Sequence, residues 1–478
     1  MKNIQYITLL LLVIFTAACN KDQSGSVELD EEALFVYEYG ASASTNFSHS
    51  NMVTFGAIDY PDGWTIDVSL TTSTITVIAP ADSSEGDDQG EVTLYGYDEE
   101  GGIQVHYLLV AKTEFVALDD PSNYLQSNCM ILTKPNTIYT FNPNRRGEEI
   151  EEQSRKAASC GIIWRSPNMP VGYPYLTDDG KMAVYTISDI YDCDDDGEKD
   201  DIVEGNAVFA AYDSSGDILW SWHLWVTESD PRENAVTVGG VEMLPRNIGA
   251  AMNSNDSTDD MLASYGLYYQ WGRRDPFIYP YYYNAESSTD TPLYDDDGDY
   301  TSHDLIDLTS TTGTIAYTKQ NPMDFIISED WKYVSEDSLW GSGEKKSIYD
   351  PSPRGWRVPS TAELVSIASA GSSIASYSDS NVYGYGVDFG GSLFLAFGRK
   401  VYLDGSTQNV SGDGTFSRGG GYYWSRDAVA ETKQASALCF YIDRNDSVDD
   451  PSDDTVAVNS NAYTRRGNGM QIRPVKDI

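Results

Sequence analysis

Basic residues are almost missing from the first quarter of this chain. Between Asp22 and Asp120 the only Lys or Arg is Lys112, and the first arginines are Arg145 and Arg146. Over 478 residues the formal net charge is −43. A surface of that sign repels a polyanion, which excludes nucleic acid as a partner. It suits solubility in a saline exterior and the binding of cations. Long hydrophobic runs are missing too. The apolar stretch from Ile7 to Ala18 is about a dozen residues, where a bilayer-spanning helix needs roughly twenty. Catalytic signatures are equally scarce: there is no Gly-x-Ser-x-Gly, no His-Glu-x-x-His, no P-loop and no Gly-x-Gly-x-x-Gly. Carboxylates are so abundant that a glycosidase pair could be picked by chance anywhere. No enzyme is expected.

What is present begins with the leader. Lys2, the apolar run to Ala18 and the small residues before Cys19 form a secretory signal. A Cys directly after small residues resembles the lipobox of bacterial lipoproteins, although Thr16 stands where Leu is usual. The resemblance implies that residues 1–18 are removed and that Cys19 is acylated. Residues 19–31 then form a polar tether whose Asn20-Lys21-Asp22 start is similar to outer-face export signals of gut Bacteroidota. The expected location is the cell outer membrane, lipid-anchored and facing the exterior. Of the five cysteines, Cys129, Cys160, Cys193 and Cys439 remain. That is an even number for an oxidising compartment, with three pairings open and free thiols equally compatible.

The 34 Tyr and 10 Trp must be buried or used on a ligand. From residue 32 to 115 short period-two strands alternate with turn clusters such as Pro61-Asp62-Gly63, which predicts an immunoglobulin-like sandwich acting as a spacer. Trp64 is read as its core plug. Residues 116–127 read as a linker. In residues 128–478 strands are expected at Cys129–Leu132, Gly161–Trp164, Met182–Ile187, Ala207–Tyr212, Ile218–Val226, Gly421–Ser425, Ala437–Ile442 and Met470–Val475. Ser360 and Glu363 have capping-box spacing for a helix that Gly371 would end. A charged helix is expected over Gly147–Ser159. The fold class is mainly β: an N-terminal sandwich, then a large irregular β-rich domain with few helices.

Several segments of the second part carry a resemblance in order. They are Gly205–Ala211 with Gly216–Val226, Pro245–Ala250, Tyr265–Phe277, Pro353–Glu363, Gly420–Ser425, and Arg466-Gly467 with Met470–Lys476. Together they resemble the "major paralogous" (FISUMP) domain of Bacteroidota and Fibrobacter, and the N-terminal module resembles the BACON-type modules of such lipoproteins. The resemblance implies a C-type-lectin-like fold and an extracytoplasmic binding or structural role. Ser352 and Pro474 stand near places where many members carry Cys, so the family's disulfide is not carried over. Fimbrillins of this phylum are trimmed by an Arg-specific protease, and no Arg occurs between Cys19 and Arg145. That disfavours a stalk subunit.

Two constellations point to chemistry. Asp192, Asp194, Asp196 and Asp200 with Gly197 have the spacing that wraps oxygen ligands round Ca²⁺, except that position 12 is Val203 rather than Glu. Against this stands a plain acidic hairpin tip. Asp295-Asp296-Asp297-Gly298-Asp299 is a poorer version. Tyr269, Trp271, Arg273, Arg274 and Tyr282 belong to the densest aromatic cluster. Aromatic faces stack on sugar rings while Arg satisfies hydroxyls, so this set is the candidate glycan site, or else it fills a core poor in aliphatics. Trp220, Trp222, His223 and Trp225 read as a strand buried on both faces. The expected function is binding or adhesion to a glycan or a host or matrix surface. A fimbrial tip or accessory subunit and a glycan-degrading enzyme are the alternatives. Partners are the outer membrane, a glycan or surface-protein ligand, and a fimbrial or glycan-uptake complex.

Overall fold

The computed structural model describes residues 25–122, 125–150, 156–188, 201–280, 290–343, 345–379, 382–410, 417–443 and 454–477. The chain forms two compact units, Met1–Thr113 and Glu114–Ile478.

The described residues of the first unit form eight strands: β1 (Ser26–Leu29), β2 (Ala33–Val36), β3 (Ser42–Ser50), β4 (Met52–Asp59), β5 (Thr65–Ser69), β6 (Thr74–Ile78), β7 (Gln89–Asp98) and β8 (Ile103–Lys112). They form two sheets, ordered β1-β3-β6-β5 and β2-β8-β7-β4. The chain's first stretch serves both: β1 lies antiparallel to β3, and β2 runs parallel to β8. That strand order is the immunoglobulin-like sandwich. Its core includes Phe47, Phe55, Ile75, Val92, Leu94 and Leu108. Trp64 is 4% exposed and its indole N–H donates to the Asp87 carbonyl at 2.8 Å, the plug expected of it. The turn before it needs Gly63: φ is +78°, and a Cβ there would sit 2.4 Å from the Glu85 carbonyl oxygen. Ser26–Leu29 lies inside the stretch read as a tether. Val27 and Leu29 alternate with Ser26 and Glu28, and burial of Val27 recruits the segment into the sheet.

In the second unit, strands Cys129–Leu132, Ile218–Val226, Gly205–Tyr212, Ser159–Arg165, Leu293–Tyr294 and Tyr300–Thr301 form a six-stranded sheet in that order. A four-stranded sheet of Val171–Leu176, Met182–Thr186, Thr137–Phe141 and Glu114–Ala117 faces it across a core of Met130, Phe141, Met182, Phe209, Trp220 and Trp222. Ile218–Val226 is buried at every position. Trp220, Trp222 and Leu224 enter this core, and Trp225 enters the neighbouring one.

Two sequence readings are corrected here. The linker is structural: Glu114–Ala117 pairs in parallel with Thr137–Thr140, and Leu118 is 1% exposed. Of the helix expected over Gly147–Ser159, residues 151–155 lie outside the described residues; at its start Arg145–Arg146 instead pairs antiparallel with Glu149–Ile150 around Gly147, whose φ is +55°.

The helices among the described residues are α1 (Thr258–Ala263), α2 (Ile315–Gln320) and α3 (Thr361–Ala368). The capping box of α3 is made: Ser360 Oγ accepts from the Glu363 N–H, and Glu363 Oε2 accepts from the Ser360 N–H at 2.7 Å. Leu364 and Ile367 then bury against Leu438 and Phe440 of the meander Ser417–Val429, Gln434–Asp443, Thr455–Arg465. Cys129, Cys160 and Cys439 are free thiols, and Cys193 lies outside the described residues.

Candidate functional site

The aromatic cluster expected to hold a glycan is interior. Tyr269 and Trp271 are 0% exposed, Arg273 3% and Arg274 5%; Tyr282 lies outside the described residues. The reason is a lattice of indole N–H bonds to backbone carbonyls. Trp271 donates to Ser425 at 2.9 Å, Trp424 to Tyr269 at 2.8 Å, Trp331 to Trp271 at 2.6 Å and Trp340 to Arg273 at 3.0 Å. Each buried indole gains a partner and each irregular loop loses an unpaired carbonyl. Arg273 donates to the Pro322 and Asp324 carbonyls, and Arg274 donates to Ser221 Oγ while stacked 3.9 Å over Trp220. Burial pulls the Arg273 pKa down to about 10. These side chains hold loops together and offer no face to a ligand. His223 is likewise internal: Nε2 meets Asn206 Oδ1 at 2.9 Å, and burial pushes its pKa down to about 3.

Of the acidic sequences, Asp192, Asp194, Asp196 and Asp200 lie outside the described residues. Asp295–Asp299 is a closed hairpin turn: Asp299 N–H donates to Asp295 Oδ1 at 2.9 Å, and Arg165 donates to the Asp296 carbonyl at 3.2 Å. Among the described residues no group of His, Cys, Asp or Glu could hold a metal ion.

A different surface is open. In the first unit β7 and β8 are apolar on both faces. Val92, Leu94, Leu108 and Val110 point into the sandwich and are fully buried. On the outer face stand Tyr97 (42% exposed), Ile103 (59%), Val105 (45%) and Tyr107 (57%). Their register makes them neighbours: Tyr97 opposes Ile103, Tyr95 opposes Val105 and Thr93 opposes Tyr107. On the next strand Gly56 opposes Tyr95 and Thr54 opposes Tyr97. A Cβ on Gly56 would meet nothing within 4 Å, so the face is open at that position. Tyr95 and Tyr97 stand about 7 Å apart along their strand. Exposed Asp59, Glu91, Glu99 and Glu100 rim the face, with Lys112 the only cation in the unit's described residues.

Contiguous exposed apolar residues of this kind mark an interaction surface. The sequence reading missed it by treating the module as a spacer. The signal was there: Ile103, Val105 and Tyr107 keep period two on the register opposite to Leu108 and Val110. A strand of a two-layer sandwich has only one face to bury.

No family model matches the chain, and no curated protein sequence matches it. Among solved structures, the D00-D0 domain of intimin aligns with 42% of this chain and 96% of its own length, at 11% identity and a TM-score of 0.15. Bacteroides ovatus SGBP-B, from a mixed-linkage glucan utilization locus and solved with a mixed-linkage heptasaccharide, aligns over 41% of this chain and 43% of that one, at 13% identity and a TM-score of 0.12. The Ig1-2 module of the Drosophila receptor tyrosine phosphatase DLAR aligns over 43% and 99%, at 12% identity and a TM-score of 0.15. At such scores these likenesses decide nothing about this chain. Its immunoglobulin-like assignment rests on its own strand order.

Proposed function

We propose that this is a lipid-anchored protein of the bacterial outer surface that binds neutral glycan chains through the outer face of β4, β7 and β8. One observation carries the reading: Tyr95, Tyr97, Ile103, Val105 and Tyr107 form a continuous, uncharged, solvent-facing patch on a module otherwise dominated by carboxylates. Tyrosine rings stack on the apolar faces of sugars, and the acidic rim disfavours anionic polymers. The leader and Cys19 support export and acylation, and the ordered motifs of the second unit support a place among the FISUMP, C-type-lectin-like surface proteins. Nothing in this reading calls for turnover.

The test is a polysaccharide-binding screen of the full chain, repeated with Tyr97→Ala/Tyr107→Ala. Both side chains are exposed, so the fold should hold while affinity falls by about tenfold or more. Unchanged binding would clear the face of a role, and a failure to bind any polysaccharide would end the glycan reading.

A further inference from the structure

We propose that the uncharged saccharide chain taken by the tyrosine-bearing outer face of β7 and β8 is carried on lipids of the same membrane that holds Cys19, an inference that rests on the glycan reading above. The start of the sandwich is pinned beside that face. The Gly25 N–H donates to Asp98 Oδ2 at 2.8 Å, and the Gly25 carbonyl accepts from Gln104 Nε2 at 3.1 Å. Glycine is required for this approach, because a Cβ on Gly25 would sit 2.6 Å from the Asp98 Cβ. Asp98 also opens the β7–β8 turn, its Oδ1 accepting from the N–H groups of Glu100 at 3.0 Å and Gly102 at 2.7 Å. The Gly25 N–H and these turn amides hold its carboxyl below the usual carboxylate range. One buried carboxylate thus ties the end of the tether to the turn flanked by Tyr97 and Ile103.

Chain length then fixes the place of the face. Cys19 lies six residues before Gly25, a span of at most about 21 Å at full extension. From Ile103 to Tyr107 the face runs on for about 14 Å. All of it lies within about 40 Å of the acylated cysteine. Exposed Glu99 and Glu100 keep the turn off the phosphates of the leaflet, so the face meets the sugars carried beyond them. Affinity decides between this ligand and a polymer arriving from outside. All ten Trp are buried, so no indole is offered for stacking. An open sheet face of phenol rings and aliphatic side chains covers only one side of a sugar chain, which gives a Kd on the order of 10⁻³ M. A short tether presents ligands of the same surface at millimolar effective concentration, enough to fill such a site. A free polymer has to be supplied at that concentration in solution.

Hydroxyl-radical footprinting of the acylated full chain tests this in vesicles of phosphatidylethanolamine, with and without lipopolysaccharide extracted from the cells that make the protein. Oxidation of Tyr97 and Tyr107 should fall by about threefold or more only where the lipopolysaccharide is present. Tyr463, 58% exposed in the second unit, is the reference that stays unprotected. Inserting a Gly/Ser segment of about forty residues between Asp22 and Gln23 should remove most of the protection without moving the melting temperature. Protection in the lipid-only vesicles would put the face on lipid and overturn the proposal. Protection that survives the longer tether overturns it as well. Where neither preparation protects, the proposal also falls, and the polysaccharide screen says how much falls with it. Binding that is lost in Tyr97→Ala/Tyr107→Ala leaves a glycan face whose ligand comes from outside, and no binding at all ends both readings.

Discussion

Asn247 and Arg473 are 226 residues apart in the chain and share a buried hydrogen bond, Arg473 Nε–H donating to Asn247 Oδ1 at 2.8 Å. The other face of the same amide donates to Gln471 Oε1 at 2.9 Å. Arg473 also reaches the Pro245 carbonyl at 2.8 Å and the Leu393 carbonyl at 3.1 Å, and its guanidinium stacks 4.5 Å from the centre of the Phe394 ring. Its partners here are neutral oxygens, and burial pulls its pKa down to about 10. A planar fork with five donors fits this cradle, and a lysine ammonium cannot reach all of it. Arg473→Lys is therefore expected to cost the second unit on the order of 3 kcal/mol, read as a lower urea midpoint with the first unit's transition unmoved. An unchanged midpoint would show that the cradle contributes nothing.

His223 makes the stability of the second unit depend on pH. Asn206 uses its Nδ2–H on the Gly249 carbonyl at 2.9 Å, so its Oδ1 accepts from His223 Nε2–H. Nδ1 is buried without a partner, and protonating it would bury an unpaired charge. The folded-state pKa, pushed down to about 3, lies below the ordinary unfolded value near 6.5. The stabilisation is complete above the unfolded value and is lost as pH falls from there toward the folded one, at about 1 kcal/mol per pH unit. Asp330 and Asp350, whose carboxyls burial raises, act in the opposite sense. The test is thus a difference: His223→Gln should give a flatter unfolding free energy between pH 7 and about pH 5. Parallel curves for the two proteins would exclude His223 as the titrating group.

Trp271 separates a core role from a ligand role. It is fully buried, meets Trp340 at 5.5 Å between ring centres, lies under Arg466 at 4.7 Å and anchors the Ser425 carbonyl. Trp271→Ala should destabilise the second unit by about 3–5 kcal/mol. Binding of the folded fraction to polysaccharide should be unaltered. Loss of binding with unchanged stability would return the site to this cluster.

What was legible in the sequence is what depends on neighbours along the chain. Cys129–Leu132 is an apolar run and Ile218–Val226 is apolar but for Ser221 and His223, and both are strands with the bounds expected. The α3 capping box is a local device, and it forms. What was not legible depends on contacts that spacing along the chain does not encode. Nothing near Trp271 says that its indole will meet a carbonyl 154 residues away. Nothing near Phe115 or Val116 says that a strand partner waits at Ile138–Tyr139. The exposed tyrosines were hidden for the converse reason: an apolar alternation is read as inward unless both registers of a strand are compared.

The Asp192 sequence makes a last prediction through its described flanks. Ser188 bridges Ile202 in antiparallel fashion, and the Val203 N–H donates to the Ile187 carbonyl at 3.1 Å, so these flanks are held side by side at an isolated bridge. Glu204, the nearest Glu to the missing twelfth ligand, is taken: its Oε1 accepts from Thr227 Oγ1 at 2.7 Å and from the Glu228 N–H at 2.9 Å. A site made of Asp192, Asp194, Asp196 and Asp200 alone lacks the bidentate carboxylate that gives tight loops their affinity, which places it in the weak range of extracellular calcium modules, on the order of 10⁻⁴ to 10⁻³ M. Millimolar Ca²⁺ should therefore raise the melting temperature of the second unit where micromolar Ca²⁺ does not. Asp194→Asn/Asp196→Asn should abolish the shift without lowering the metal-free melting temperature. A protein indifferent to millimolar calcium has an acidic turn there and no ion site, whereas a shift that survives the double substitution would put the ion elsewhere.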